Sequence, residues 1–299
     1  MAIDRVGNML PNRARIPKEW GDYMLANYYA DNIVPQISNH DYVGKLETIG
    51  DTVVIQKRVA IDRFTYKVGE GLRKQTSIAD DSMTLTVDYA DYFNVPIADV
   101  DKFQSIGDYA AEIFDEGART LGTGVEQRVW GSIYSSAQTT VSNASFNGTP
   151  ALDASNALKF FMLASTKLNE LNIPENDRWC VLDPYTAYFL GLSDLKAAYL
   201  TGENTTPLRT GMPFEANKPI AGFKCYISNN LSYSFSGGFS HIVCGHIDAL
   251  TFASQINKVE TLRDPDDFGD LLRGMIVYGY KVVQPKALVH INITAFGNL

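Results

Sequence analysis

The chain has 299 residues, which allows one large domain or two modest ones, and 45% of them are hydrophobic, so a sizeable core can be buried. Its formal net charge of −8 argues against tight, sequence-independent binding to nucleic acid, which needs a basic surface. The three cysteines show no spacing of a disulfide framework, and neither a signal peptide nor a membrane-spanning run is visible, so we expect folding in a reducing cytoplasm.

Residues 1–20 are predicted to form an extended arm, because Pro11 and Pro17 interrupt any helix. The arm carries a small basic cluster: Arg13, Arg15 and Lys18. Two interpretations stay open, a frayed terminus and a tail that lies on a neighbouring subunit. Residues 21–35 can form a short amphipathic helix that Pro35 closes.

Two long strands with a polar tip follow, at residues 52–68 and 83–98, and together they predict an extended β-hairpin. At roughly 3.3 Å per residue, each arm of this ribbon reaches about 50 Å. An isolated two-stranded hairpin is only marginally stable in water, so we expect the ribbon to lie on a neighbouring subunit. Its charged candidates for intersubunit contacts are Lys57, Arg63, Lys67, Glu70, Arg73 and Lys74.

A long helix is predicted over residues 101–135, with Asp101 as N-cap, Gln104 three residues later, and apolar residues at helical spacing. Gly122 and Gly124 lie in its middle, where each glycine costs about 1 kcal/mol relative to alanine. Either the helix breaks into two there, or the glycines mark a bend in one continuous helix.

The second half of the chain begins with a small-polar linker at residues 136–150, the best candidate domain boundary. A helix is predicted over 153–171 with Asp153 as its cap, and "WCVL" reads as a buried strand. Further predicted elements are strands at 223–228 and 240–247, a short strand or helix in "ALTFASQINKVETL", and closing strands around Pro285.

No motif predicts catalysis. In "HIVCGH", a strand would place Cys244 and His246 on one face and His241 on the other, so three metal ligands would not converge. "GEGLRK" lacks the third glycine and the following helix of a phosphate-binding loop. The acids of "DPDDFGD" are typical of a solvated turn. We therefore predict no catalytic, cofactor-binding or metal-binding residue.

The order of these parts resembles the major capsid protein of tailed bacteriophages, the Hong Kong 97-type fold. The segments that carry the resemblance are "GDTVVIQKR" at 50–58, "DYFNVPIADVDKFQS" at 91–105, "RWCVLDPYTAYFL" at 178–190, "IAGFKCYISNNL" at 220–231 and "FASQINKVETLRDPDDFGDLLRGMIVYGYKVVQPKAL" at 252–288. Together they span nearly the whole chain. The expected fold class is α+β, with an N-terminal arm, an extended loop formed by the hairpin, a spine helix and a mixed α/β axial domain.

The resemblance implies four parts. These are an arm with a short helix (1–44), the extended loop (45–100), a peripheral domain with the spine helix (101–148 plus about 255–280), and an axial domain (149–254 plus about 281–299). It also implies a structural, non-enzymatic subunit that forms hexamers and pentamers of an icosahedral shell around double-stranded DNA, without sequence-specific binding. Gly122 and Gly124 would then allow the spine helix to bend during shell expansion.

The implied partners are further copies of the chain, a portal and possibly a cement protein. Some members of the family carry a scaffolding segment before the arm; this chain starts almost at the arm, so we expect a separate scaffolding protein or a trimmed product. The expected location is the virion, after assembly in the host cytoplasm. Three alternatives remain: an encapsulin-type compartment with the same fold, a soluble α/β enzyme or ligand-binding protein, and a decoration protein.

Overall fold

The computed structural model describes residues 32–39, 52–56, 61, 63–66, 82–98, 109–147, 150–193, 220–264 and 268–297, with side chains except at 56, 98, 109–112 and 255–258. The helices of this part are α1 (Val34–Ile37), α2 (Tyr109–Ile133), α3 (Ala157–Glu170) and α4 (Pro184–Leu192). The strands are β1 (Thr52–Gln56), β2 (Ser82–Thr86), β3 (Tyr89–Ala98), β4 (Thr139–Ser142), β5 (Arg178–Leu182), β6 (Lys224–Ile227), β7 (Tyr233–Ser234), β8 (Phe239–His246), β9 (Leu250–Arg263), β10 (Gly269–Val282) and β11 (Leu288–Ile293).

The spine helix α2 runs without interruption through both glycines, so the alternative that it breaks into two is wrong. The predicted stripe residues Leu121, Val125, Val129 and Ile133 are buried, and Phe114 and Ala118, which the prediction did not include, continue the buried face toward the N-terminus of the helix. A Cβ on Gly122 would collide with the carboxamide of Asn32, whereas a Cβ on Gly124 would meet open space. Close packing of the segment at 32–39 therefore explains Gly122, and nothing in the described structure explains Gly124.

A three-stranded antiparallel sheet, in the order β3-β10-β9, packs against α2. β3 pairs with β10 along its full length, from Tyr89 opposite Tyr278 to Ala98 opposite Gly269. On the helix-facing side, Phe93 of β3 meets Phe114 of α2 with ring centroids 6.0 Å apart. Residues 89–98, the second half of the predicted return strand, therefore pair within this sheet.

The ribbon itself is the two-stranded sheet of β1 and β2, paired from Thr52 opposite Thr86 to Gln56 opposite Ser82. Its inner side chains are buried in a small apolar cluster with β9 and β10: Ile55, Leu85, Val87, Ala253 and Val277. The base of the ribbon thus rests on its own subunit. This corrects the expectation that the whole ribbon lies on a neighbouring subunit, because Ile55, Leu85 and Val87 are buried against the subunit's own sheet.

The third sheet is mixed, in the order β4-β11-β8-β5-β6, with β7 added on β8. β5 is buried along all five residues, as expected for a central strand covered on both faces. One face packs against α3 and α4 through Phe160, Phe161 and Leu190. The other face meets the end of α2, where the indoles of Trp130 and Trp179 lie 6.3 Å apart. The spine helix therefore connects the two larger sheets.

Several predicted elements are confirmed in type: the helix after residue 153, the "WCVL" strand, the strands near 223 and 240, and the closing strands around Pro285. Three predictions are wrong. Pro35 lies in the first turn of α1 instead of closing a helix. The predicted linker contains β4, which pairs in parallel with β11 and buries Val141 in the core. Asn156 is the N-cap of α3, while Asp153 accepts backbone N–H bonds in the preceding turn.

The cysteines also differ from the expectation. The register of the mixed sheet places Cys180 of β5 directly opposite Cys244 of β8, and the two sulfurs form a disulfide. Cys225 of β6 lies opposite Cys180 on the other side and is free. The chain spacing of 64 residues between the bonded pair gives no sign of this contact, which depends on sheet register alone.

Candidate subunit interface

Most of the predicted contact residues lie outside the described part of the chain. Those residues are Arg13, Arg15, Lys18, Lys57, Lys67, Glu70, Arg73 and Lys74, and the same holds for Asp101 and Gln104 of the predicted helix cap. Arg63 is described; it is exposed and lies in a stretch without regular secondary structure. Its role in an intersubunit contact stays a prediction.

The segment that follows β1 exposes large apolar side chains. Ile61 is 82% exposed, Phe64 45% and Tyr66 65%. In β1 itself, Val54 faces solvent while Ile55 faces the subunit's own sheet, as the strand's alternation requires. Burying side chains of this size removes about 1.5–3 kcal/mol of unfavourable hydration each, so this segment is suited to a second protein surface.

The outer face of the three-stranded sheet mixes apolar and charged groups beyond the ribbon base. Tyr92 of β3 is 74% exposed, and Leu262 of β9 is also exposed. Arg273 donates to the Asn94 carboxamide at 3.2 Å on the same sheet face. A face with isolated aromatic groups surrounded by polar pairs is typical of a non-obligate protein interface.

The part built on the mixed sheet has exposed apolar side chains of its own. Tyr188 and Leu192 lie on the outer side of α4, and Met162 lies on α3. The opposite sides of these two helices are buried in the core. The exposed apolar groups thus occur on the ribbon, on the three-stranded sheet and on the mixed-sheet part, as a subunit with several neighbours requires.

A buried carboxylate joins three parts of the subunit at the spine helix. Glu126 of α2 is 3% exposed. Its Oε1 accepts the backbone N–H of Ile33 at 2.5 Å, and its Oε2 accepts from Asn230 Nδ2 at 2.8 Å and from Ser228 Oγ at 3.4 Å. The segment at 32–39, the spine helix and the loop after β6 therefore share one acceptor.

The described residues contain no group of three or more His, Cys, Asp or Glu side chains that could hold a metal ion. His241 and Cys244 lie on opposite faces of β8, as the alternation in "HIVCGH" predicts. A cleft of about 460 Å³ between α1, the turn before β5 and β6 is lined by charged groups of both signs, among them Glu175 and Lys224. None of the described helices is long and apolar enough to cross a membrane.

Comparison with solved structures identifies the fold to which this chain belongs. No family model matches the chain, and no curated protein matches it. Among solved structures, a chain of Mycobacterium phage Che8 superposes with a TM-score of 0.71 at 26% sequence identity, over 89% of this chain and 92% of that one. The chain has the Hong Kong 97-type fold of a tailed-phage major capsid protein.

Other structures show the same capsid fold at lower identity. The capsid of cyanophage P-SCSP1u is 17% identical with a TM-score of 0.63, over 83% of this chain and 84% of that one. A virus-like particle from Pyrococcus furiosus reaches a TM-score of 0.58 at 9% identity, over 92% of this chain and 98% of that one. The similarity to the Che8 phage chain is higher in both TM-score and sequence identity.

Two features of this capsid subunit were not found from the sequence. Glu126 reads as one more polar residue of an amphipathic helix, although its position between Val125 and Val129 on the buried stripe is a weak signal of burial. The exposed apolar groups Ile61, Phe64 and Tyr66 lie within the predicted ribbon, but only the charged residues of that ribbon were selected as contacts. These three side chains are distinguished by being both apolar and exposed, a combination that a search for charged residues does not find.

Proposed function

We propose that many copies of this chain close into the icosahedral head shell of a tailed phage, around its double-stranded DNA. The observation that carries the proposal is the 26% identity to the Che8 phage chain over nearly the full length of both chains. The exposed apolar segment at Ile61, Phe64 and Tyr66 supports it, because these side chains have the character of an interface.

In this proposal the ribbon has two functions. Its base, at Ile55, Leu85 and Val87, stays anchored to its own sheet. Its outer segment crosses to an adjacent subunit and buries the apolar groups there. The entropy lost in ordering the segment and the cost of desolvating its polar groups offset much of the free energy gained by burial. The binding free energy of each contact therefore stays small, and a misplaced subunit can dissociate. The shell then gains stability from the number of contacts.

The division into domains is part of the proposal, with boundaries adjusted to the strand pairing. The peripheral domain combines α2 with β3, β9 and β10, and thus includes residues 89–98. The axial domain is the mixed sheet with α3 and α4, and thus starts before β4 at Thr139. The axial domains meet around five-fold and six-fold positions, in pentamers and hexamers.

The charge of −8 is suited to a container for DNA, because an acidic wall repels phosphates and leaves the genome mobile. We propose that the subunit encloses DNA without binding it sequence-specifically and has no enzymatic activity. It would assemble in the host cytoplasm with a separate scaffolding protein and a portal, with or without a cement protein, and remain in the virion.

The test is assembly of the full chain, expressed alone and with the scaffolding protein of its phage, followed by size-exclusion chromatography and electron microscopy. We expect closed shells in at least the second condition. Particles from infected cells should contain DNA; particles filled with a cargo enzyme would favour the compartment alternative. A monomer in both conditions, with a catalytic cleft that binds a small molecule, would contradict the proposal.

A further inference from the structure

Three aromatic rings join the end of the spine helix to the mixed sheet. Nδ1 of His241 on β8 lies 3.0 Å from Nε2 of His290 on β11, and one of these nitrogens donates to the other. The ring of Tyr134, the residue after the last of α2, stacks on His241 with centroids 4.4 Å apart and an interplanar angle of 2°. The ring of Tyr134 also lies 5.2 Å from that of His290.

Within the part of the chain that the structure describes, the elements around the histidine pair supply no charge that would compensate protonation. The elements that pack around it are the turn Tyr134–Ser136 and the strands β4, β7, β8 and β11, and none of these contains Asp, Glu, Lys or Arg. The other titratable side chains on them are Tyr233 and His246. Asp183, which accepts from Ser240 Oγ at 2.8 Å, lies toward the opposite face of β8.

Burial disfavours the charged form of both rings. It lowers the pKa of His241, and burial together with the charge of His241 lowers the pKa of His290 to about 4. His290 is 7% exposed in the folded chain. At neutral pH the pair is therefore uncharged and its single hydrogen bond is intact.

We propose that the His241–His290 pair beneath Tyr134 is an acid-sensitive joint between the spine helix and the mixed sheet. One added proton can be shared across the 3.0 Å contact. A second proton removes the acceptor and places two positive charges face to face, so the helix end separates from the sheet. The inference concerns the single subunit and is independent of whether a shell forms.

The direction of the pH dependence follows from the lowered pKa values. Unfolded histidine binds a proton near pH 6.5, whereas in the folded chain burial lowers the pKa of His241 and, together with the charge of His241, lowers the pKa of His290 to about 4. Stability at the joint is therefore complete above about pH 6.5 and is lost as the pH falls toward 4. For a partly hydrated pair we expect the opening equilibrium of the joint to rise about 30-fold between pH 7 and pH 4.5.

The variants that test the joint are His241→Asn and His290→Gln, which keep a hydrogen-bonding amide near the Nδ1 and Nε2 positions but do not titrate. His246→Asn is the matched control, because this third histidine is buried on the same strand, and its Nδ1 accepts the backbone N–H of Asp248 instead. Hydrogen exchange of the full chain, corrected for the intrinsic pH dependence, reports opening at residues 129–137.

We expect acidification to increase exchange at this segment in the parent chain and in His246→Asn, and to have a much smaller effect in the two pair variants. NMR titration of the parent chain is the second measurement and needs no variant. The His241 resonance should titrate below pH 6.5, and the His290 resonance near pH 4. Ordinary titration near 6.5, or equal acid sensitivity of exchange in every folded variant, would overturn the proposal.

Discussion

Replacing the buried carboxylate of the spine helix is the sharpest test of how the subunit is joined together. In Glu126→Ala, the backbone N–H of Ile33 and the amide of Asn230 lose an acceptor at 2.5 and 2.8 Å, and the weaker bond from Ser228 at 3.4 Å is also lost. The substitution changes no residue of the exposed apolar segment, so its effect reports the interior joint alone.

The expected loss can be built from the two short hydrogen bonds. A hydrogen bond to a charged group contributes about 1.5–3 kcal/mol, so the pair contributes about 3–6 kcal/mol. Removing the carboxylate also removes the cost of burying it, which offsets part of this sum. We expect a net loss of about 3 kcal/mol, which lowers the Tm of a chain of this size by about 5 °C.

The assay is thermal unfolding of the purified full chain, with hydrogen exchange at residues 32–39 as a local measurement. Glu116→Ala is the matched control, because it makes the same chemical change at an exposed position of the same helix. Glu126→Gln should lie between the two, since its amide oxygen still accepts one bond. Equal Tm values for Glu126→Ala and Glu116→Ala, with unchanged exchange at 32–39, would refute the reasoning.

Three further outcomes are expected. When the chain is purified under air and denatured without reductant, we expect one free thiol, that of Cys225, and we expect three free thiols after reduction. Three free thiols before reduction would contradict the cross-strand disulfide. Gly122→Ala should lower the Tm, because the new Cβ collides with the side chain of Asn32. Gly124→Ala should raise the free energy of unfolding by about 0.5–1 kcal/mol, because its Cβ meets open space and alanine favours the helix. A higher Tm for Gly122→Ala than for Gly124→Ala would contradict the packing at the spine helix. Phe64→Asp should abolish shell assembly, as seen by electron microscopy, without changing the Tm of the subunit. The control Thr65→Asp, at a neighbouring exposed position, should still form shells. Shells from both variants would exclude this segment from the interface.

Local pattern by itself determined which kinds of element the chain forms. The apolar stripe through Leu121, Val125 and Val129 specifies a helix face, and it does so even across two glycines, because burial of the stripe outweighs their intrinsic cost. The uninterrupted apolar run "WCVL" specifies a strand covered on both faces. The structural role was predicted from the resemblance carried by segments such as residues 220–231 and 252–288.

Tertiary structure alone decided which elements meet. The ribbon and β3 follow one another almost without a break, yet β2 pairs with β1 whereas β3 pairs with β10, about 180 residues further along the chain. The disulfide, the histidine pair and the three bonds of Glu126 likewise depend on sheet register and on contacts between residues 49 to 104 positions apart. Periodicity reports which side of an element is apolar; it contains no information on which distant partner covers that side, because that choice depends on the packing of the whole core.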